Sequence, residues 1–266
     1  MLFRTIELTL HSNNKIIAMN YTIEKVTTLI GARRYGNTDA NIGFLLTDSR
    51  SLCFPEETLF FALKSERNDG HKYIDDLYRR GVRNFVVEEL PEHYEERYPN
   101  SNFLKVVGTL EALQRLAERH RDEFDIPVVG ITGSNGKTMV KEWLYQILSP
   151  SMVVTRSPRS YNSQIGVPLS VWLLNEQSQV GVFEAGISQP GEMQALRDII
   201  QPTIGVLTNL GAAHQENFPS MAAKCKEKLT LFHDTQAVVY CSDDELVSRC
   251  MSEFAYHGEQ LAWSFK

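Results

Sequence analysis

A rhythm that starts at Pro127 constrains this chain more than any other feature. Short apolar runs recur at residues 128–132, 152–155, 180–184, 204–208 and 237–241, with helical or loop material between them. Strand-length apolar runs that alternate with helices close into a parallel sheet through right-handed crossovers. Residues 139–148 set Met139, Val140, Trp143, Leu144, Ile147 and Leu148 on one stripe, which predicts a helix packed on that sheet. Ligands of such sheets gather at the carboxyl ends of the strands. The residues that end these runs are therefore the first place to look for chemistry.

The first run breaks into VVGITGSNGKT, residues 128–138. Gly133 and Gly136 let backbone N–H groups around Ser134 and Asn135 turn toward one point, while Lys137 supplies a cation and Thr138 a metal-binding hydroxyl. The general pattern G-x-x-x-x-G-K-[ST] asks for glycine where this chain has Ile131, with Gly130 one place early, so the loop alone is a moderate signal. Two other strand ends strengthen it. One run ends in Phe183-Glu184, and another reaches Asn209 and is soon followed by His214. A carboxylate and an imidazole on the edge that carries a Gly-Lys-Thr loop suit a nucleotide and its metal.

Each of these residues also has a plainer reading. Lys137 and Thr138 open a helix whose N-terminus favours anions, or simply start a helix with a solvated lysine. Glu184 ends an apolar strand, where an unpaired carboxylate is costly; a hard divalent cation or a salt bridge to a neighbouring lysine or arginine satisfies it equally well. His214 is a metal ligand, a polar contact to substrate, or an ordinary loop histidine. Lys224, Lys226 and Lys228 crowd the segment MAAKCKEKLTLF, which ordinarily reads as a solvated helix face.

Upstream of Pro127 the pattern is mixed. It predicts helices over 21–30, 73–80 and 110–124, and strands over 59–63, 85–87 and 103–107. The last helix stops at Asp125-Ile126-Pro127, a boundary because the residue before proline is pushed out of helical geometry. The 266 residues then divide into a leader over 1–18, a first domain over 19–124 and a second over 125–266. Polar clusters at Thr47-Asp48-Ser49-Arg50 and in KSERNDGH, residues 64–71, are either a binding rim or loops. A formal net charge of -6 argues against a general binder of nucleic acid or anionic membrane, and no apolar run reaches the roughly 18 residues of a membrane span. Four scattered cysteines read as reduced thiols of a cytoplasmic protein, without zinc spacing.

Taken in order, TDSR, FFALKSERNDGHKYI, GITGSNGKT, YNSQIGVPLS, FEAGISQPGEM and PTIGVLTNLGAAHQENF with KEKLTLF resemble the Mur ligase family, the ATP-dependent amino-acid-adding enzymes of peptidoglycan synthesis. The resemblance runs from Thr47 to Phe232. It implies an α/β chain: a small UDP-precursor-binding domain, then a P-loop parallel-sheet ATPase domain that is incomplete here. The runs EAGISQPGEM and TNLGAAHQENF are most similar to the branch that joins D-Ala-D-Ala to UDP-N-acetylmuramoyl-tripeptide; the position four beyond His214, where the sibling that adds the third residue typically has a second histidine, is Phe218. Cofactors implied are ATP and Mg²⁺. The resemblance makes Gly133, Ser134, Asn135, Gly136, Lys137 and Thr138 the ATP loop, and Thr138, Glu184, His214 and a carbamylated Lys228 the metal ligands. It gives catalytic roles to Lys137, Glu184, His214 and Lys228. Asn162 is expected to face substrate, and Ser49, Arg50, Asp69, Gly70 and His71 to line the UDP-sugar site. Relatives continue beyond this point and can be fused to further domains, so the chain alone is expected to bind precursor and to ligate weakly or not at all. Other Mur-type ligases, a folylpolyglutamate synthase and a non-catalytic nucleotide-sugar-binding module remain as alternatives.

Overall fold

The computed structural model describes residues 21–66, 68–213 and 215–266. The expected leader over 1–18 and His214 lie outside the described residues. Helix α1 (Ile23–Ile30) starts where Thr22 Oγ1 accepts the Lys25 N–H at 3.2 Å, and it ends at Gly31 in the left-handed region with φ 65°. Strands β1 (Arg33–Tyr35), β2 (Phe44–Leu46) and β3 (Thr58–Phe61) follow. Helix α2 (Ile74–Arg79) leads to β4 (Asn84–Val87), β5 (Asn102–Lys105) and helix α3 (Thr109–Arg121).

These five strands form a sheet in the order β1-β5-β4-β3-β2, parallel except for β1, which runs antiparallel to β5. Alternation along the strands fills two cores. Leu59, Phe61, Val86 and Leu104 meet α1 and α3 through Ile23, Val26, Leu113 and Leu116, whereas Phe60, Phe85 and Phe103 pack with Leu77 and Tyr98. Both faces are covered, which is why β3 and β4 are buried at every position. The strand expected over 59–63 stops at Phe61, because Leu63 N–H turns back onto the Phe61 carbonyl at 2.9 Å.

After Pro127 the chain runs through β6 (Val128–Thr132), α4 (Lys137–Leu148), β7 (Val154–Arg156), α5 (Gly166–Val171) and β8 (Val180–Glu184). It continues through α6 (Glu192–Ile200), β9 (Ile204–Leu207), α7 (Met221–Leu229), β10 (Ala237–Cys241), α8 (Glu245–Glu253) and β11 (Glu259–Trp263). All six strands are parallel, in the order β7-β8-β6-β9-β10-β11. The order reverses at β6, so β8 and β9 flank it and a cleft opens at their carboxyl ends.

Three expectations need correction here. The strand predicted over 152–155 begins at Val154, since Met152 N–H still bonds the last turn of α4 at Leu148. Strand β11 was not predicted: its five residues are all exposed, and only the short stretch Leu261-Ala262-Trp263 is apolar. The stripe on α4 splits, with Val140, Leu144 and Leu148 packing on valines of β6 and β8 while Met139, Trp143 and Ile147 stay 56%, 57% and 71% exposed. The small valine side chains of those strands let one row of the helix seat, and the neighbouring row rotates out to solvent.

The two sheets share a joint. Trp172, just past α5, enters the core of the first unit and donates its indole N–H to Gly43 at 2.9 Å. Buried His120 on α3 bridges Tyr21 Oη at 2.9 Å and the Leu174 carbonyl at 3.1 Å. Arg121 donates to the carbonyls of Ile200, Gln201 and Phe124, satisfying the C-terminus of α6 with a cation. Among the described residues no helix is long and apolar enough to cross a membrane.

Candidate functional site

The loop between β6 and α4 is shaped by two glycines and braced by the end of β9. Gly133 has φ 141° and a Cβ there would stand 2.0 Å from Thr208 Oγ1; Gly136 has φ 83°. Neither position accepts a side chain without strain. Asn209 takes the Ser134 N–H on its carbonyl at 2.9 Å and the Asn135 N–H on its side chain at 2.9 Å. Ser134 Oγ and Gly211 exchange further hydrogen bonds. Two of the amides that the sequence offered as phosphate donors are therefore committed to holding the loop. The donors left for an anion are the first N–H groups of α4, which have no partner within the helix.

Glu184 ends β8 beside this loop, in register with Ile131. Its side chain is fully buried, with Oε2 accepting from Thr138 Oγ1 at 2.9 Å and Lys141 Nζ standing 3.1 Å from Oε1. Of the two readings of this carboxylate, the salt bridge to a lysine is present on Oε1, while Oε2 takes a threonine hydroxyl. Lys141 is not aligned as a hydrogen-bond donor, so Oε1 keeps an unsatisfied lone pair among the described residues. A buried carboxylate oxygen without a donor, next to a hydroxyl, is a hard oxygen set that fits Mg²⁺. Among the described residues there is no group of three or more His, Cys, Asp or Glu that could hold a metal ion.

Three lysines surround the loop. Lys137 Nζ donates to the carbonyls of Gly133 at 2.8 Å and Ser134 at 3.4 Å, and Lys228 Nζ reaches the same Gly133 carbonyl at 3.3 Å. Burial lowers the Lys137 ammonium, opposed by the charge of Glu184. Lys228 is pulled down to about 8, first by burial and then by the charges of Lys137 and Lys224. Lys224, which sequence reasoning left on a solvated face, is buried and donates to the carbonyls of Gly211 and Ala213. Only Lys226 behaves as a surface lysine, pairing with Glu253 at 2.8 Å. The missed signal is the four-residue spacing of Lys224 and Lys228, which puts both on one face of α7.

A cavity of about 410 Å³ opens over these groups, lined by Gly133, Ser134, Lys137 and Lys228 together with Asn162, Gln164 and Glu192. Asn162 is held against Gly186, whose N–H donates to its carbonyl at 2.7 Å. Glu192 accepts the N–H groups of Ser188 and Gln189, fixing the turn after β8. The candidate residues of the first unit do not line this cavity. Ser49 and Arg50 sit in a short 3-10 turn, where the Arg50 guanidinium donates to Asp48 at 2.6 Å and holds that carboxyl below its usual range. Gly70 is forced by close approach, since a Cβ would meet Ala62 backbone at 2.7 Å. His71 spends both ring nitrogens on structure, against Asp69 Oδ1 at 2.6 Å and the Glu88 N–H at 3.1 Å.

A central parallel strand that passes through a Gly-Lys-Thr loop into a helix, with a buried glutamate ending the next strand, defines a phosphate-loop α/β protein. The chain belongs to the Mur ligase family: the profile of the Mur ligase middle domain matches residues 131–266, and that of the Mur ligase family catalytic domain matches residues 41–121. The UDP-N-acetylmuramoyl-tripeptide–D-alanyl-D-alanine ligase of Bacillus subtilis is 31% identical over 77% of this chain and 45% of its own length. MurF from Acinetobacter baumannii superposes with a TM-score of 0.80 at 25% identity, covering 94% of this chain and 54% of that one. MurF from Thermotoga maritima, in complex with ADP, superposes at 0.71 with 27% identity over 83% of this chain and 50% of that one. The chain spans about half the length of these relatives.

Proposed function

We propose that this chain is the precursor-binding and nucleotide-binding part of an ATP-dependent, ADP-forming ligase that joins D-Ala-D-Ala to UDP-N-acetylmuramoyl-tripeptide in the cytoplasm. One observation carries the reading: a single cavity of about 410 Å³ is lined by the phosphate loop, with Lys137 and Lys228, and by Asn162. Phosphate and acceptor carboxylate are both anions, and a single cavity that offers two cations and an amide can hold them together. Ser49, Arg50, Asp69, Gly70 and His71 are the proposed rim for the UDP-sugar. The particular substrates are those for which the bacterial relatives are named. Phe218, buried where the third-residue-adding sibling typically has a histidine, favours the D-Ala-D-Ala branch.

The chemistry follows from the charges. The terminal carboxylate of the tripeptide attacks the γ-phosphate of ATP, releasing ADP and forming an acyl phosphate. The amine of D-Ala-D-Ala attacks that carbonyl, loses a proton and expels phosphate. Lys137 and the first N–H groups of α4 offset the negative charge of the phosphates, while Asn162 orients the acceptor. Thr138 and Glu184, with His214, are the proposed holders of Mg²⁺, which would offset negative charge on the phosphates during transfer. Lys137 and Lys224 beside Lys228 favour an anion there, as carbamylation of Lys228 would provide. Calorimetric titration with UDP-N-acetylmuramoyl-tripeptide, with UDP-N-acetylglucosamine as control, tests the reading. Selective binding of the tripeptide precursor is expected; equal or absent binding by folded protein overturns the substrate assignment.

A further inference from the structure

Lys141 lies three residues beyond Thr138 on α4, so the two side chains rise from one face of the helix. It is fully buried, and three segments enclose its ammonium. Glu184 Oε1 stands at 3.1 Å from the end of β8, and Glu142 of α4 itself at 3.2 Å. The carbonyls of Ser157, at 2.9 Å, and Arg159 belong to the loop after β7. Thr138 meanwhile holds Oε2 of the same glutamate. The carboxylate is gripped one oxygen at a time by the helix that leaves the phosphate loop. Ser157 adds another tie, its Oγ accepting the Glu184 N–H at 3.2 Å.

A buried ammonium costs stability that an apolar side chain of similar volume would not, so its retention points to a role for the charge. Lys141 does not line the cavity. Its charge acts through what it touches. The loop it clasps includes Arg159, whose φ of 49° is unusual for a residue with a Cβ, and three residues later comes Asn162. One ammonium therefore fixes both the aim of Glu184 and the path of the loop that carries Asn162.

We propose that Lys141 is a positioning residue: it aims Glu184 at the Mg²⁺ of bound nucleotide and locks the 157–162 loop to the helix of the phosphate loop. The inference rests on the reading of Thr138 and Glu184 as Mg²⁺ ligands. Its test is the affinity of this chain for ADP, titrated by calorimetry with Mg²⁺ and with EDTA; the ratio of the two affinities is the metal gain. Lys141→Met is expected to leave ADP affinity in EDTA unchanged and to cut the metal gain about tenfold, the scale on which outer-shell partners of metal ligands act. Lys141→Arg, which keeps the charge, is expected to recover part of it. A merely structural lysine would lower the melting temperature and leave the ratio alone, and that result in folded Lys141→Met overturns the proposal. Should Lys141→Met not fold, Lys141→Gln takes its place with the same two outcomes. The failures are distinguishable: a wild-type chain with no metal gain removes the Mg²⁺ reading of Glu184 and this inference with it, whereas a wild-type gain that survives the substitution removes the role of Lys141 alone.

Discussion

At Gly133 the backbone turns in a region closed to other residues while Thr208 Oγ1 occupies the space of a side chain. Gly133→Ala must therefore push the loop off β9 or unfold it locally. A stability loss of about 1–3 kcal/mol is expected in a thermal melt, together with weakened ADP binding. Lys137→Ala separates the two halves of the proposed site. Loss of a hydrogen bond to a charged phosphate, about 1.5–3 kcal/mol, lowers ADP affinity roughly ten- to a hundredfold and leaves binding of the UDP-linked precursor unchanged. Parallel titrations of both ligands check this, and loss of both would contradict two separable subsites. The Gly-Lys-Thr loop and Glu184 were legible because apolar strands led straight into them. Lys141 and Lys224 were not, since a lysine at helical spacing reads as solvated and only its distance from Thr138 or Lys228 along the helix marks it as facing inward.

Buried strands were read more accurately than edges. Strands such as β3 and β8 are apolar at nearly every position because both faces are covered, so composition alone revealed them. The three-residue strands β1 and β2 and the exposed β11 owe their pairing to neighbours far away in sequence, and nothing local announces that. The same limit hid the joint between the sheets. Trp172 follows α5 of the second unit, yet its ring packs with Tyr21 and His120 of the first at 5.2 and 4.6 Å between centroids. Trp172→Ala removes that packing and leaves the Gly43 carbonyl without its donor. A cost of about 3–5 kcal/mol is expected, the range for large aromatic truncations in cores, read as a lower denaturant midpoint.

Across the whole molecule that joint also sets the response to acid. His120 is held neutral: burial draws its pKa from 6.5 down to about 4, against weaker upward pulls from the Leu174 carbonyl and Glu123. In the unfolded chain the same imidazole takes up a proton near pH 6.5. Between these values the unfolded state binds more protons than the folded one, so stability falls as pH drops from about 6.5 to about 4 and then levels off for this group. A shift of this size corresponds to about 3 kcal/mol over that window. The depressed carboxylates act below its upper part. Asp48, Asp69, Asp75 and Glu123 are all held below their ordinary values, so their contribution is lost only in stronger acid, while Lys228 titrates near 8. His120→Gln keeps an amide to meet Tyr21 and Leu174 but cannot titrate. Urea unfolding at pH 7 and pH 5 therefore separates the cases: the wild-type chain is expected to lose much of the His120 contribution between them, and the variant to show a smaller loss. Equal losses in both would mean that the histidine is not what couples the two sheets to pH.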